Sequence, residues 1–254
     1  MKLLERAFGI LQMVADAQDG VGVSAVAAQM GLPKSTVSRI LVGLEAQGAV
    51  ARSAENQFTI GNTIVQLAAQ QSFTQSLAAL ARPILQQLAE ETGETVAICV
   101  LDGLQSYYLD HVQSRQHAVQ VRDWKGEHVP LHATSSGKVL LAWGSAELVD
   151  SALAKPLQQN TARTITSAQT LRQELDRIRA QGVAVSDEEF VDDIYGFAVP
   201  ILAADQTMIA ALNLYGPTYR FATGDRRTVH IPAIQQGAKR LASAWQRNQR
   251  MRVS

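Results

Sequence analysis

The hydrophobic periodicity of this 254-residue chain changes character at Gly93, and that change limits the fold more than any other feature. Before it, apolar residues recur every three to four positions. After it, runs such as "TVAICVL" and "AALNLYGP" read as strands, with side chains alternating between two faces. A chain of this length has room for one small and one medium domain, each burying its own core. Two modules of different class are therefore expected, a helical one in front and an α+β one behind.

In the front module, Leu4, Ala7, Phe8, Leu11 and Val14 form the apolar stripe of a first helix over residues 3–17. The next stretch, "VSAVAAQMGLPKSTVSRILVGLEAQG", predicts two more helices. Ser24 suits the cap of a short helix through Met30, Gly31 supplies a turn, and Pro33 suits the first position of the following helix. A helix-turn-helix needs a small residue where its helices cross, a glycine at the turn and branched apolar residues beyond. Ala27, Gly31, Val37 and Ile40 fall in that order.

The second helix would then display Lys34, Ser35 and Thr36 on its first turn, with Ser38 and Arg39 just beyond. Short hydroxyls and cations of this kind match phosphates and major-groove base edges in double-stranded DNA. After Gly48, "AVARSAENQFTIG" reads as two short strands around a turn at "SAEN", a wing with Arg52 and Gln57 near its tip. Residues 1–65 hold five Lys/Arg and five Asp/Glu, so the module as a whole is not basic. A three-helix packing unit without nucleic acid therefore stays open as an alternative. Residues 62–92 place Leu77, Leu80, Ile84, Leu85 and Leu88 at helical spacing, with a kink or break expected near Pro83.

Beyond Gly93, "TVAICVL", "SYYLDHV" and "HAVQVRD" read as successive strands, the first two joined by a hairpin at Asp102-Gly103. Helices are expected at 135–143 and 167–181, strands around Val183 and at 197–202 and 208–215, and a closing helix over about 225–247. That succession predicts an α+β domain around an antiparallel sheet.

The segment "PLHATSSGKVLLA", residues 130–142, carries the most chemistry. A phosphate loop needs a glycine five residues before its Gly-Lys pair and a hydroxyl after the lysine. Those positions are His132 and Val139 here, so that reading fails. Ser135 and Lys138 have serine-x-x-lysine spacing, but the Ser-Asp-Asn and Lys-Thr-Gly companions of penicillin-recognising enzymes are absent. What remains is a helix whose first turn bears Ser135, Ser136 and Gly137, with free amides, hydroxyls and the positive end of the helix dipole, an arrangement suited to a carboxylate. Ordinary capping by Thr134 or Ser135, with nothing bound, fits the same residues.

Alternation along "AALNLYGP" puts Ala211, Asn213 and Tyr215 on one side of a strand, which makes Asn213 and Tyr215 candidate ligand contacts or groups bonded to neighbours. The five acids between Asp187 and Asp193 have the composition of a solvated loop. His128 and His132 are separated by Pro130 and lack a carboxylate or cysteine cluster, so no metal is expected, nor any cofactor. Trp124 fits a packed loop aromatic or a pocket wall. Five cations without acids in 239–252 are explained by solvation and the helix dipole and are given no DNA role.

Taken in order, "ERAFGILQMV", "MGLPKSTVSRILVGLEAQGAV" and "FTIG" resemble the DNA-binding domain of IclR-type bacterial transcription regulators. The later "ETGETVAICVLDG", "VPLHATSSGKVLLA", "GFAVPI" and "AALNLYGP" resemble that family's ligand-binding domain, so the resemblance covers essentially the whole chain. It implies a winged helix-turn-helix at 1–61, a linker helix at 62–76 whose packing on a second copy would form a dimer, and a GAF-like effector-binding domain at 77–254. It also implies that Ser186 or Asp187, and Tyr195 or Gly196, lie near the effector. Many relatives carry cysteine near the latter pair, where Gly196 leaves room for a bulkier ligand.

The implied function is transcription regulation by a homodimer or tetramer on a near-palindromic operator, under control of a small organic acid. An α+β enzyme with an accessory helical domain is the alternative, and the sequence offers it no nucleophile and base as a pair; a purely structural oligomeriser is a third. The lone Cys99, the charge at Glu5 and Arg6 and the lack of an 18-residue apolar run lead to the expectation of a cytoplasmic protein without signal peptide, disulfide or membrane span.

Overall fold

A computed structural model describes residues 2–17, 20–221 and 224–253. Packing divides the chain into two units, residues 1–75 and 76–254.

The first unit opens with helices α1 (Lys2–Asp16), α2 (Val23–Met30) and α3 (Lys34–Ala46), followed by strands β1 (Val50–Arg52) and β2 (Phe58–Ile60). Its core joins Ile10 and Val14 of α1 to Val26 of α2, Val37 and Leu41 of α3, and Phe58 of β2. The buried face of α1 keeps Ala7, Leu11 and Val14 of the expected stripe and adds Ile10, whereas Leu4 and Phe8 are 67% and 70% exposed. Gly31 ends α2 in the left-handed region, φ 63°, and its amide returns to Ala27 and Ala28, which sets the corner. Ser24 is not the cap. Gly22 holds that place without a side-chain bond, and Pro33 stands one position before α3.

Strands β1 and β2 pair antiparallel, Val50 with Ile60 and Arg52 with Phe58, and Val21 adds a bridge to Phe58. The long helix α4 (Asn62–Thr92) runs through Pro83 without the expected break and belongs to both units.

In the second unit β3 (Thr95–Asp102) and β4 (Gln105–Val112) form the hairpin at Asp102-Gly103. "HAVQVRD" is not a strand, because residues 117–123 form an irregular segment tied by its own side chains. Gln120 donates to the Ser114 carbonyl at 3.0 Å and Gln113 to that of Val121 at 2.6 Å. The next strand is β5 (His128–Pro130), followed by α5 (Ser135–Ala142), α6 (Ala146–Leu153) and α7 (Ala168–Gln181). Then come β6 (Ala184–Asp187), β7 (Ile194–Leu202), β8 (Met208–Pro217), the single turn α8 (Thr218–Phe221) and α9 (Gly224–Val253).

The six strands lie in the order β5-β4-β3-β8-β7-β6, each antiparallel to its neighbours. Ala97, Cys99, Ala198 and Ala211 face α5 and its neighbours, where small side chains let the helix sit close. Gly137 carries that approach furthest, since a Cβ there would lie 2.4 Å from the Leu131 carbonyl oxygen. All eight residues of α5 are buried, so it is a core element and not an amphipathic surface helix. The opposite sheet face receives α9, whose Gly237 abuts Leu88 of α4 and Leu212 of β8.

Candidate functional sites

Helix α3 buries Val37, Ile40 and Leu41 and turns Lys34, Ser35, Ser38 and Arg39 to solvent, with Thr36 half-buried. Helical spacing makes these one stripe. Val42, exposed by 52%, extends it; sequence reasoning passed over that valine, although it lies four residues after Ser38. Arg52 and Gln57 flank the β1–β2 turn. Arg52 is exposed with its guanidinium 5.5 Å from the Phe58 ring centre, while Gln57 is half-buried beside Gly20 and Gly22.

In the second unit, α5 starts at the edge of a cavity of about 120 Å³. Thr134 is its N-cap: the hydroxyl accepts from the Gly137 amide at 3.1 Å and donates to the Pro130 carbonyl at 3.0 Å. The amides of Ser135 and Ser136 have no acceptor within the helix, as in any first turn. The polar part of the cavity wall comes from Tyr108, Ser135, Ser186, Asn213 and Tyr215. The apolar part comes from Val121, Trp124, Phe190 and Ile194, with Arg122 at one edge. Trp124 and Phe190, from separate loops, meet with ring centres 5.2 Å apart, and Arg122 lies 4.4 Å from the Trp124 ring centre.

Most of the polar groups are bonded to one another. Ser135 Oγ donates to Asn213 Oδ1 at 3.0 Å, and Asn213 Nδ2 donates to the Tyr108 hydroxyl at 3.0 Å. Ser186 Oγ donates to the Ala133 carbonyl at 3.0 Å. Burial holds both tyrosine hydroxyls above their ordinary value, so they stay protonated donors. Below this floor Ser136 and Ser106 place their hydroxyls 3.3 Å apart near Cys99, whose thiol burial pushes up to about 12. That cysteine is a core residue without nucleophilic character.

Of the residues singled out in the sequence, the fold gathers Ser135, Ser186, Gly196, Asn213 and Tyr215 around the cavity. It does not bring Ser136, Gly137, Asp187 or Tyr195 there. Ser136 points beneath the floor and Gly137 is the packing contact with Leu131. Asp187 pairs with Arg163 at 3.1 Å, and Tyr195 lies on the other sheet face against Phe197 and Phe221. On β7 the alternation decides this, since Gly196 and Tyr195 are adjacent and must face opposite ways.

The acidic stretch is solvated only in part, since Asp192 and Asp193 are exposed while Glu189 is enclosed. Glu189 is buried against Lys138, and Thr161 and Thr164 donate to the Glu188 and Glu189 carbonyls at 2.6 and 2.7 Å. Burial holds the Glu189 carboxyl above its ordinary value, with Lys138 opposing. Phe190 thereby gains a fixed place in the wall. His128 pairs with Asp102 at 2.8 Å and His132 meets the Gln158 carbonyl at 2.8 Å; among the described residues no cluster of three metal-ligating side chains occurs. Nor is any helix among them long and apolar enough to cross a membrane.

A winged helix-turn-helix in front of an α+β sensor unit is the plan of a ligand-responsive transcription regulator. Residues 3–54 match the IclR helix-turn-helix domain and residues 70–243 match "Bacterial transcriptional regulator IclR C-terminal". The chain belongs to the IclR family. It is 33% identical to the "Probable transcriptional regulator SauR" of Cupriavidus necator, over 94% of this chain and 95% of that protein. It is 31% identical to the "Transcriptional repressor IclR" of Escherichia coli, over 95% and 89%. The crystal structure of Thermotoga maritima IclR superposes with a TM-score of 0.62 at 27% identity, covering 96% of this chain and 98% of that one. These relatives are transcription regulators and not enzymes, which removes the α+β enzyme as an alternative.

Proposed function

We propose that this regulator reads a near-palindromic operator with residues 1–61 and senses a small organic acid with residues 77–254. The helical segment 62–76 links the two. The protein acts in the cytoplasm as a homodimer or tetramer, since two-fold related reading heads require a site of matching symmetry. On the DNA side, Ser38 and Arg39 meet base edges and Val42 a thymine methyl, while Lys34, Ser35, Thr36 and the wing residues Arg52 and Gln57 position the backbone.

The cavity of about 120 Å³ carries the effector reading. It combines a helix start and Arg122, both favourable to a carboxylate, with the Trp124–Phe190 wall, favourable to a flat apolar body. A cavity of ~150 Å³ accommodates benzene, so the size class is a single ring or a short chain. Ser135, Ser186, Gly196, Asn213 and Tyr215 are the contacts assigned to the effector.

A thermal-shift screen with small aliphatic and aromatic carboxylates tests the reading, followed by operator gel shifts with each hit at fixed salt. A ligand bound at a hundred times its Kd adds about 2.7 kcal/mol of apparent stability. A screen in which no acid raises the melting temperature overturns the organic-acid reading.

A further inference from the structure

Among the described residues that line the cavity, Tyr215 is distinct. Its hydroxyl is buried yet has no hydrogen-bond partner in the protein, whereas Tyr108, Ser135, Ser186 and Asn213 are all engaged by neighbours. A buried hydroxyl without a partner is destabilising, and folded proteins leave very few of them. The Tyr215 ring is held in place, edge-on to Tyr108 with centres 6.1 Å apart and within β8 between Leu214 and Gly216, so its hydroxyl stays at the cavity wall. Burial also keeps it protonated, which makes it a donor at all ordinary pH.

We infer that Tyr215 is the specificity residue of this cavity, and that it selects organic acids carrying a second oxygen, a hydroxyl or carbonyl apart from the carboxylate, over their plain analogues. The inference rests on the organic-acid reading of the cavity and goes beyond it. The carboxylate has its own place at the α5 start and Arg122, and the Trp124–Phe190 side offers a ligand no hydrogen bond. The remaining unmet polar demand is the Tyr215 hydroxyl. A ligand oxygen that meets it gains a bond that no protein group supplies, while an analogue without that oxygen gains none. Sites built around a hydroxyl reject the lacking analogue far more strongly than apolar pockets reject an added methylene.

The test pairs acids that differ by one oxygen: benzoate with 3- and 4-hydroxybenzoate, and butyrate with 3-hydroxybutyrate and 2-oxobutyrate. Calorimetric titration of the full chain should give at least one oxygenated member about tenfold to hundredfold tighter than its plain partner. In Tyr215→Phe that preference should shrink to about threefold or less. The variant without ligand should melt at the same temperature as the parent or higher, because it loses an unmatched polar group.

Equal binding of plain and oxygenated acids by the parent protein overturns the inference and leaves the organic-acid reading intact. A preference that survives in Tyr215→Phe, or a clear fall in the melting temperature of the ligand-free variant, also overturns it, since the hydroxyl would then be structural. Binding of none of the six acids removes the organic-acid reading, and the inference with it.

Discussion

The Lys138 ammonium lies 2.6 and 2.7 Å from the two carboxylate oxygens of Glu189, fully shielded from solvent, with Glu174 at 3.7 Å. This pair fastens the loop that carries Phe190 to the helix that carries Ser135. Removing one partner of a buried pair leaves an uncompensated charge and costs about 3–5 kcal/mol. Because Glu174 remains, Glu189→Gln should fall near about 3 kcal/mol, read as a shift in the urea midpoint. A loss below about 1 kcal/mol would show that the pair is neither dry nor structural.

His111 gives a pH dependence of known sign. Burial holds its imidazole below the ordinary 6.5, Asp123 and Asp110 act to raise it, and Lys125 and Arg82 act to lower it. The folded protein therefore favours the neutral ring. Stability from this group is complete above about pH 6.5 and is lost as pH falls through the lower folded value. His111→Gln should flatten the acid limb of the stability curve between pH 7 and 5, and an unchanged slope there would remove this histidine from the account.

On the DNA side, Arg39→Ala should weaken operator binding by about 1–3 kcal/mol and relax the sequence preference at one position. Lys34→Ala should weaken all sequences alike and reduce the salt dependence by about one counterion. Gel-shift titrations at two salt concentrations separate the two effects. Equal loss of specificity in both variants contradicts the division of roles along α3.

Adjacent serines at the start of α5 should behave differently. Ser135 faces the cavity, so Ser135→Asp should repel carboxylate ligands, at some cost in stability because the residue is itself buried and donates to Asn213, but at a smaller cost than at Ser136. Ser136 is fully enclosed with Ser106, so Ser136→Asp buries a charge and should destabilise the whole second unit. Circular dichroism melts alongside ligand titration distinguish loss of binding from loss of fold.

Gly137→Ala tests the packing of α5. The added methyl would sit 2.4 Å from a backbone oxygen that no side-chain rotation can move away. A loss of at least about 2 kcal/mol is expected in chemical denaturation, and a neutral result would mean that the helix stands further from Leu131.

Much of this was legible in the sequence where local pattern decides. The α2–α3 corner followed from Ala27, Gly31, Val37 and Ile40, and the β3–β4 hairpin from Asp102-Gly103. Asn213 and Tyr215 followed from simple alternation on β8. What failed depended on distant partners. Residues 117–123 have strand composition but are held by Gln113 and Gln120, whose bonds no periodicity reveals. Glu189 is charged and reads as surface until Lys138 is brought to it from 51 positions away. Phe8 completes a helical stripe on paper, yet it is exposed, and the core of the first unit takes in Ile10 two residues further on, about 200° around the helix. Tyr195 and Gly196 could not be separated without knowing which face of β7 meets α5.

At the middle of the six-stranded sheet, Thr95 stands opposite Tyr215, roughly 120 residues later in the chain. During synthesis the central ladder must wait until β8 has left the ribosome, and the β3–β4 hairpin is exposed with one edge unpaired until then. Such long-range closure slows folding and leaves an aggregation-prone interval. Long-range closure of this kind ties the yield of folded regulator to protection of the nascent hairpin, a demand separate from how tightly the finished protein holds its operator.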